Sequence, residues 1–171
     1  LNNNNRPEMT SAGIEASYPV TVIDESGNKR ETHITGERPL TIYVDKQEIV
    51  TLMTLGKYPE LLVIGYLYNQ GFIKQTEEIK AVQVDWDIDS AVVVTKNGIR
   101  DWKKKLAKRT VTSGCGQGTV FGDLMDNLEE IQLPKPTLYQ STFYRLLQNI
   151  RKHNEVYKKS GAVHGLSLIH I

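Results

Sequence analysis

The apolar period changes at Pro59, and that change constrains what the first hundred residues can become. Upstream, Leu40-Thr41-Ile42-Tyr43-Val44 and Ile49-Val50-Thr51-Leu52-Met53 are β-rich runs separated by Asp45-Lys46-Gln47. β-Branched and aromatic residues at that density suit strands. Behind Pro59 and Glu60, which suit a first helical turn, Leu61, Leu62, Gly65, Tyr66 and Asn69 fall at helical spacing. Gly71 is placed to end that helix as the residue after its cap. Its apolar side chains, Tyr66 and Tyr68 included, read as core. Strand character then returns in Ile79–Val84 and in Ser90–Thr95, with a turn at Asn97-Gly98. Before all of this, Pro19–Asp24 and Lys29–Thr35 flank Glu25-Ser26-Gly27-Asn28, which predicts a hairpin. Hairpins around one helix make an α+β pattern.

The second half is less regular. Lys103–Arg109 is a basic connector or strand edge, and Thr119–Asn127 reads as a short helix. Pro134-Lys135-Pro136 is a rigid spacer. A stronger helix follows, capped by Ser141, with Phe143, Leu146, Leu147 and Ile150 at i, i+3, i+4, i+7. Lys158 and Lys159 complement its dipole and Gly161 stops it. Residues 1–18, led by Asn2-Asn3-Asn4-Asn5, read as a disordered tail. Leu166–Ile171 is an atypical apolar tail, as of a chain cut short.

Charge and cysteine usage narrow the functional classes. A net charge of +1 gives no global field for nucleic acid, so any basic site must be local. No apolar run approaches a membrane span of about 20 residues. One cysteine cannot close an internal disulfide, which points to a reducing, cytoplasmic setting. His33, His153, His164 and His170 form no H-x₃-H pair, so no metal site is assigned. Asp85, Asp87 and Asp89 lack the glycine and closing glutamate of a calcium loop and read as a solvated strand face or turn.

The chemistry-bearing residue is Cys115, in Thr112-Ser113-Gly114-Cys115-Gly116-Gln117-Gly118-Thr119. Its glycine neighbours leave the thiol little cover, and the preceding basic stretch favours the thiolate. An inert thiol is the alternative reading. A Cys115–His164 pair for acyl transfer lacks a third member, and Gly114, Gly116 and Gly118 lack the strand–helix setting of a dinucleotide loop.

In their order along the chain, several blocks resemble the FdhD family, the sulfur carriers that formate dehydrogenases need for an active molybdenum cofactor. They are Arg38–Val44, Leu52-Met53-Thr54, Pro59–Ile73, the cysteine loop Thr112–Gly116, and Ser160-Gly161-Ala162-Val163-His164-Gly165. The resemblance covers about residues 36–165. Two departures stand out. Gly118 occupies the place of a second cysteine found in many members, which removes a two-thiol relay, and Ala162 replaces a glycine.

The resemblance implies an N-terminal α+β domain over residues 19–105. It also implies the first part of a cytidine-deaminase-like α/β domain over residues 106–165, carrying the cysteine loop, without that enzyme's zinc. It implies a sulfurtransferase: a cysteine desulfurase loads Cys115 as a persulfide, and the sulfur passes to a bis-molybdopterin guanine dinucleotide cofactor of molybdenum or tungsten, bound only transiently. Formate dehydrogenase is the implied client, and a homodimer is compatible with the reading. In that scheme Lys104, Lys108 and Arg109 attract the guanine nucleotide's phosphates, Gly114 and Gly116 offer backbone N–H groups, and His164 joins the cofactor site. The rival reading is a non-catalytic cofactor-binding chaperone of formate dehydrogenase, with Cys115 incidental.

Overall fold

The computed structural model describes residues 6–99, 132, 135 and 137–164, and the backbone of Arg109–Val111 and Thr119–Phe121. The chain divides into two compact units, residues 1–14 with 37–131, and residues 15–36 with 132–171.

The first unit is built on a five-stranded mixed sheet. Its strands are β1 (Glu8–Met9), β4 (Arg38–Val44), β5 (Gln47–Thr54), β6 (Ile79–Asp85) and β7 (Ser90–Thr95), in the order β1-β6-β7-β4-β5. β4 and β7 run parallel, as do β1 and β6, whereas β4–β5 and β6–β7 are antiparallel. A register shift between Ile42 and Tyr43 marks a bulge before the Asp45-Lys46 turn, where both residues have positive φ. The parallel β4–β7 pair requires a crossover, and β5, helix α1 (Pro59–Asn69) and β6 supply it.

Alternation decides the buried face. Leu40, Ile42 and Val44 on β4, Val82 and Val84 on β6, and Ala91 and Val93 on β7 all enter one core with Val63 and Leu67 of α1. Val92 and Val94 point the other way and stay exposed. α1 ends as its sequence predicts. Gly71 has φ 68°, its N–H donates to the Tyr68 carbonyl, and the Phe72 N–H donates to that of Leu67. That is a Schellman closure, and it turns Phe72 and Ile73 back into the core. A short 3₁₀ turn, Thr76–Glu78, follows, with Glu78 accepting from the N–H groups of Lys74 and Gln75.

The second unit contains a hairpin of β2 (Ser17–Ile23) and β3 (Lys29–Thr35), seven pairs in unbroken register. Asp24 shapes its turn by accepting from the N–H groups of Ser26 and Asn28, and Gly27 takes φ 82°. Helix α2 (Gln140–His153) and helix α3 (Glu155–Ser160) complete the unit, with α3 packed on the hairpin.

Four expectations change. Residues 6–18 are ordered and do not form a tail: β1 pairs with β6, and Trp86 Nε1 donates to the Ala12 carbonyl at 2.6 Å. The hairpin, assigned by sequence to an N-terminal domain over residues 19–105, groups with residues 132–171 because α3 packs on it. Ser141 lies inside α2, not at its cap, and the helix breaks at Asn154, whose side chain accepts from the Tyr157 N–H and starts α3. Gly161, at φ 68°, ends α3. Thr119–Phe121, expected as the start of a helix, forms strand β9, antiparallel to β8 (Arg109–Val111). Threonine, valine and phenylalanine lose little by adopting that geometry when a partner strand is present. The remainder of that expected helix, and residues 106–108, 112–118, 122–131, 133, 134, 136 and 165 of the cytidine-deaminase-like region, lie outside the described residues.

Candidate functional site

β8 and β9 bracket the cysteine loop. Their register, Arg109↔Phe121, Thr110↔Val120 and Val111↔Thr119, brings the two ends of residues 112–118 together. Cys115 stands midway in that segment, four positions from Val111 and four from Thr119. Cys115, Gly114, Gly116, Lys104 and Lys108 themselves lie outside the described residues. Arg109 is placed at the outer end of β8, in the first unit.

The approach to the basic stretch is fixed by Asp45. Its carboxylate accepts from the N–H and hydroxyl of Thr95, at 3.0 and 2.6 Å, and Thr95 Oγ1 accepts from the Gly98 N–H at 2.8 Å. Gly98 takes φ 73° there, and Ile99 packs against the core. The end of β7 is thus tied to the β4–β5 turn just before the chain continues toward Lys103–Arg109.

His164 belongs to the second unit and is exposed. It lines a cavity of about 470 Å³ with Ile150, Arg151, Asn154, Tyr157 and Lys158. Two cationic side chains and an aromatic ring there suit an anionic ligand with a planar group. His33 is on β3, its Nδ1 3.5 Å from Ser17 Oγ, and His153 closes α2. Asp85 accepts from the Asp87 N–H in the β6–β7 turn. Among the described residues no group of three or more His, Cys, Asp or Glu side chains is placed to hold a metal ion. Nor is any helix there long and apolar enough to cross a membrane.

Sequence reading missed Glu60, taking it only as a first-turn residue. The side chain is almost fully buried, and Oε1 accepts from the Thr10 hydroxyl at 2.7 Å and from the Ala12 N–H at 2.6 Å. Burial alone would raise its carboxyl pKa, but the hydrogen bonds from Ala12, Thr10 and the backbone outweigh that and hold it below the ordinary value. The partners lie about fifty positions away, so no local signal could have identified them.

Residues 35–170 match the FdhD/NarQ family. The chain belongs to that family. Among curated relatives, the Sulfur carrier protein FdhD of Listeria monocytogenes is 28% identical over 142 residues, which is 81% of this chain and 54% of the relative. The Sulfur carrier protein FdhD of Bacillus pumilus is 28% identical over 136 residues, 79% of this chain and 52% of the relative. The chain therefore spans about half the length of these relatives. A crystal structure of a candidate formate dehydrogenase accessory protein from Desulfotalea psychrophila aligns with 26% identity and a TM-score of 0.40. The alignment covers 50% of this chain and 37% of that one.

Proposed function

We propose that this chain is a sulfur carrier that works through Cys115. One observation supports this most strongly: the family match runs through the cysteine loop, and curated relatives over the same stretch are named sulfur carriers. The Cys115 thiolate attacks the terminal sulfur of a cysteine desulfurase persulfide. That S–S bond breaks, the desulfurase leaves as a thiolate, and Cys115 becomes Cys–S–SH. The terminal sulfur is then passed to the metal of a molybdopterin guanine dinucleotide cofactor serving formate dehydrogenase. The reduced metal gives up the electron pair that makes the sulfur a sulfido ligand, and Cys115 returns to the thiol.

The chain's own residues support each requirement. The β8–β9 base carries the loop. Lys104, Lys108 and Arg109 supply the positive charge that lowers a thiol's pKa and attracts phosphates, with Gly114 and Gly116 offering N–H groups to the same anion. In the second unit, His164 lines a cavity with Arg151 and Lys158, whose charge would suit an anionic group.

Incubation with a cysteine desulfurase and cysteine should add about 32 Da at Cys115, removable by dithiothreitol. Cys115→Ser should abolish the adduct and the activation of a formate dehydrogenase. Full activation by that variant would replace the carrier with a cofactor-binding chaperone.

A further inference from the structure

Residues 8–14 precede the stretch that matches the family, yet residues inside that stretch hold them at every step. Glu8 and Met9 pair parallel with Ala81 and Val82. The Thr10 hydroxyl donates to Glu60 Oε1 and accepts from the Val84 N–H at 3.1 Å. Ser11, at φ 58°, turns the chain so that the Ala12 N–H reaches the same carboxylate oxygen. The Ala12 carbonyl accepts from the Trp86 indole, and the Ile14 N–H donates to the Gly56 carbonyl at 2.9 Å.

Two positions are read by shape. A Cβ on Gly13 would lie 2.6 Å from the Lys57 carbonyl oxygen, so only glycine fits there. A Cβ on Gly56 would lie 2.5 Å from the Ile14 side chain, so the groove is missing a side chain where the segment carries an aliphatic one. We propose that the groove between Glu60, Trp86 and Gly56 is a peptide-binding site, filled in cis by residues 8–14, that reads Thr-x-small-Gly-aliphatic. Alternating contacts through main chain and pockets are how an extended peptide is recognised at a sheet edge.

The occupant adds little to the core itself. None of residues 8–14 is among the fully buried hydrophobic residues, and Glu8, Met9, Thr10, Ser11 and Gly13 remain exposed. Ala12 is the segment's one residue packed against the core cluster, partly buried, so the segment lies along the core's edge with most of its length on the surface.

Native-state hydrogen exchange on the whole chain tests this first. The amides of Ala12, Ile14 and Val84 should exchange roughly tenfold to a hundredfold faster than those of Ile42 and Val93, as expected for sub-global opening. Exchange of all five through one common opening would make the segment part of the core and overturn the proposal. The second arm uses Ala12→Pro, which removes the N–H donor and disfavours the Ser11 conformation while leaving the groove intact. The folded variant should bind a labelled synthetic peptide of residues 6–15 at least about tenfold more tightly than wild type, whose own segment competes. Adding Glu60→Gln, or placing alanine at Gly13 in the peptide, should abolish that gain. A folded Ala12→Pro chain that ignores the peptide, or one that loses its sheet, would refute the site.

Discussion

α1 and α2 are helices of opposite design and opposite fate. α1 carries apolar side chains on several faces and buries Val63 and Leu67 completely. α2 concentrates Phe143, Leu146, Leu147 and Ile150 on one stripe, yet none of its residues is buried. The strands differ in the same way. From Leu40 onward β4 alternates buried and part-buried positions, whereas β2, the same length and in perfect register with β3, buries none of its residues. A periodic stripe states that a face is suited to burial, and only a covering layer makes it buried. In the first unit the crossover through α1 supplies that layer. In the second, α3 covers part of the hairpin, and among the described residues Ala16 is the unit's one fully buried hydrophobic side chain.

Large-to-small substitutions should expose this contrast most strongly. Leu40→Ala removes a fully buried side chain and should destabilise the first unit by about 2–5 kcal/mol. Leu147→Ala, in the stripe of α2, should cost less than about 1 kcal/mol. Urea titrations followed by residue-resolved hydrogen exchange measure both, and equal costs would break the comparison.

Glu60 ties the first unit together across sequence, and its removal should rank next. Glu60→Gln should cost about 1–3 kcal/mol, since the bonds to Thr10 and Ala12 are charge-assisted. Its folded pKa lies below the ordinary 4.5, so its stabilisation is present in full above that value and is lost as pH falls through the depressed one. Protection of the Ala12 amide should follow that curve in wild type and be flat in the variant. An unchanged acid profile in Glu60→Gln would assign the effect to another group.

Glycines sharpen the comparison at smaller scale. Gly13→Ala should cost about 1–3 kcal/mol because the new methyl meets the rigid Lys57 backbone. In the second unit, Gly36→Ala meets only ordinary contacts with the Tyr18 ring at 3.5 Å and should stay within about 0.5 kcal/mol of wild type. Smallest and opposite in sign, Gly65→Ala places its methyl in open space on α1 and should stabilise by up to about 1 kcal/mol through helix propensity. Thermal midpoints of the three variants should therefore fall in the order Gly13→Ala, Gly36→Ala, Gly65→Ala.

What the sequence determined by itself was local. The turn at Asp24–Asn28 and the Pro59 start and Gly71 stop of α1 rest on contacts within a few residues, and the strands around Leu40, Val50, Val82 and Val93 were marked by local β-propensity. Backbone preference and turn chemistry are enough to specify such features. The cysteine loop stands out in the chain because its glycines and basic neighbours are adjacent to Cys115, which itself lies outside the described residues. Where local preference was indecisive, the partner decided. Thr119-Val120-Phe121 became a strand because Arg109–Val111 lies beside it, and Ser141 lost the cap position because α2 begins one residue earlier. Tertiary structure alone placed residues 10–14 on Glu60, Trp86 and Gly56, and moved the first hairpin into a unit with α3. These are contacts across roughly fifty to a hundred and thirty positions, and a linear pattern contains no distance information at that range. Their energy comes from burying a carboxylate with its donors and from covering a sheet face, both of which exist only once the chain has closed on itself.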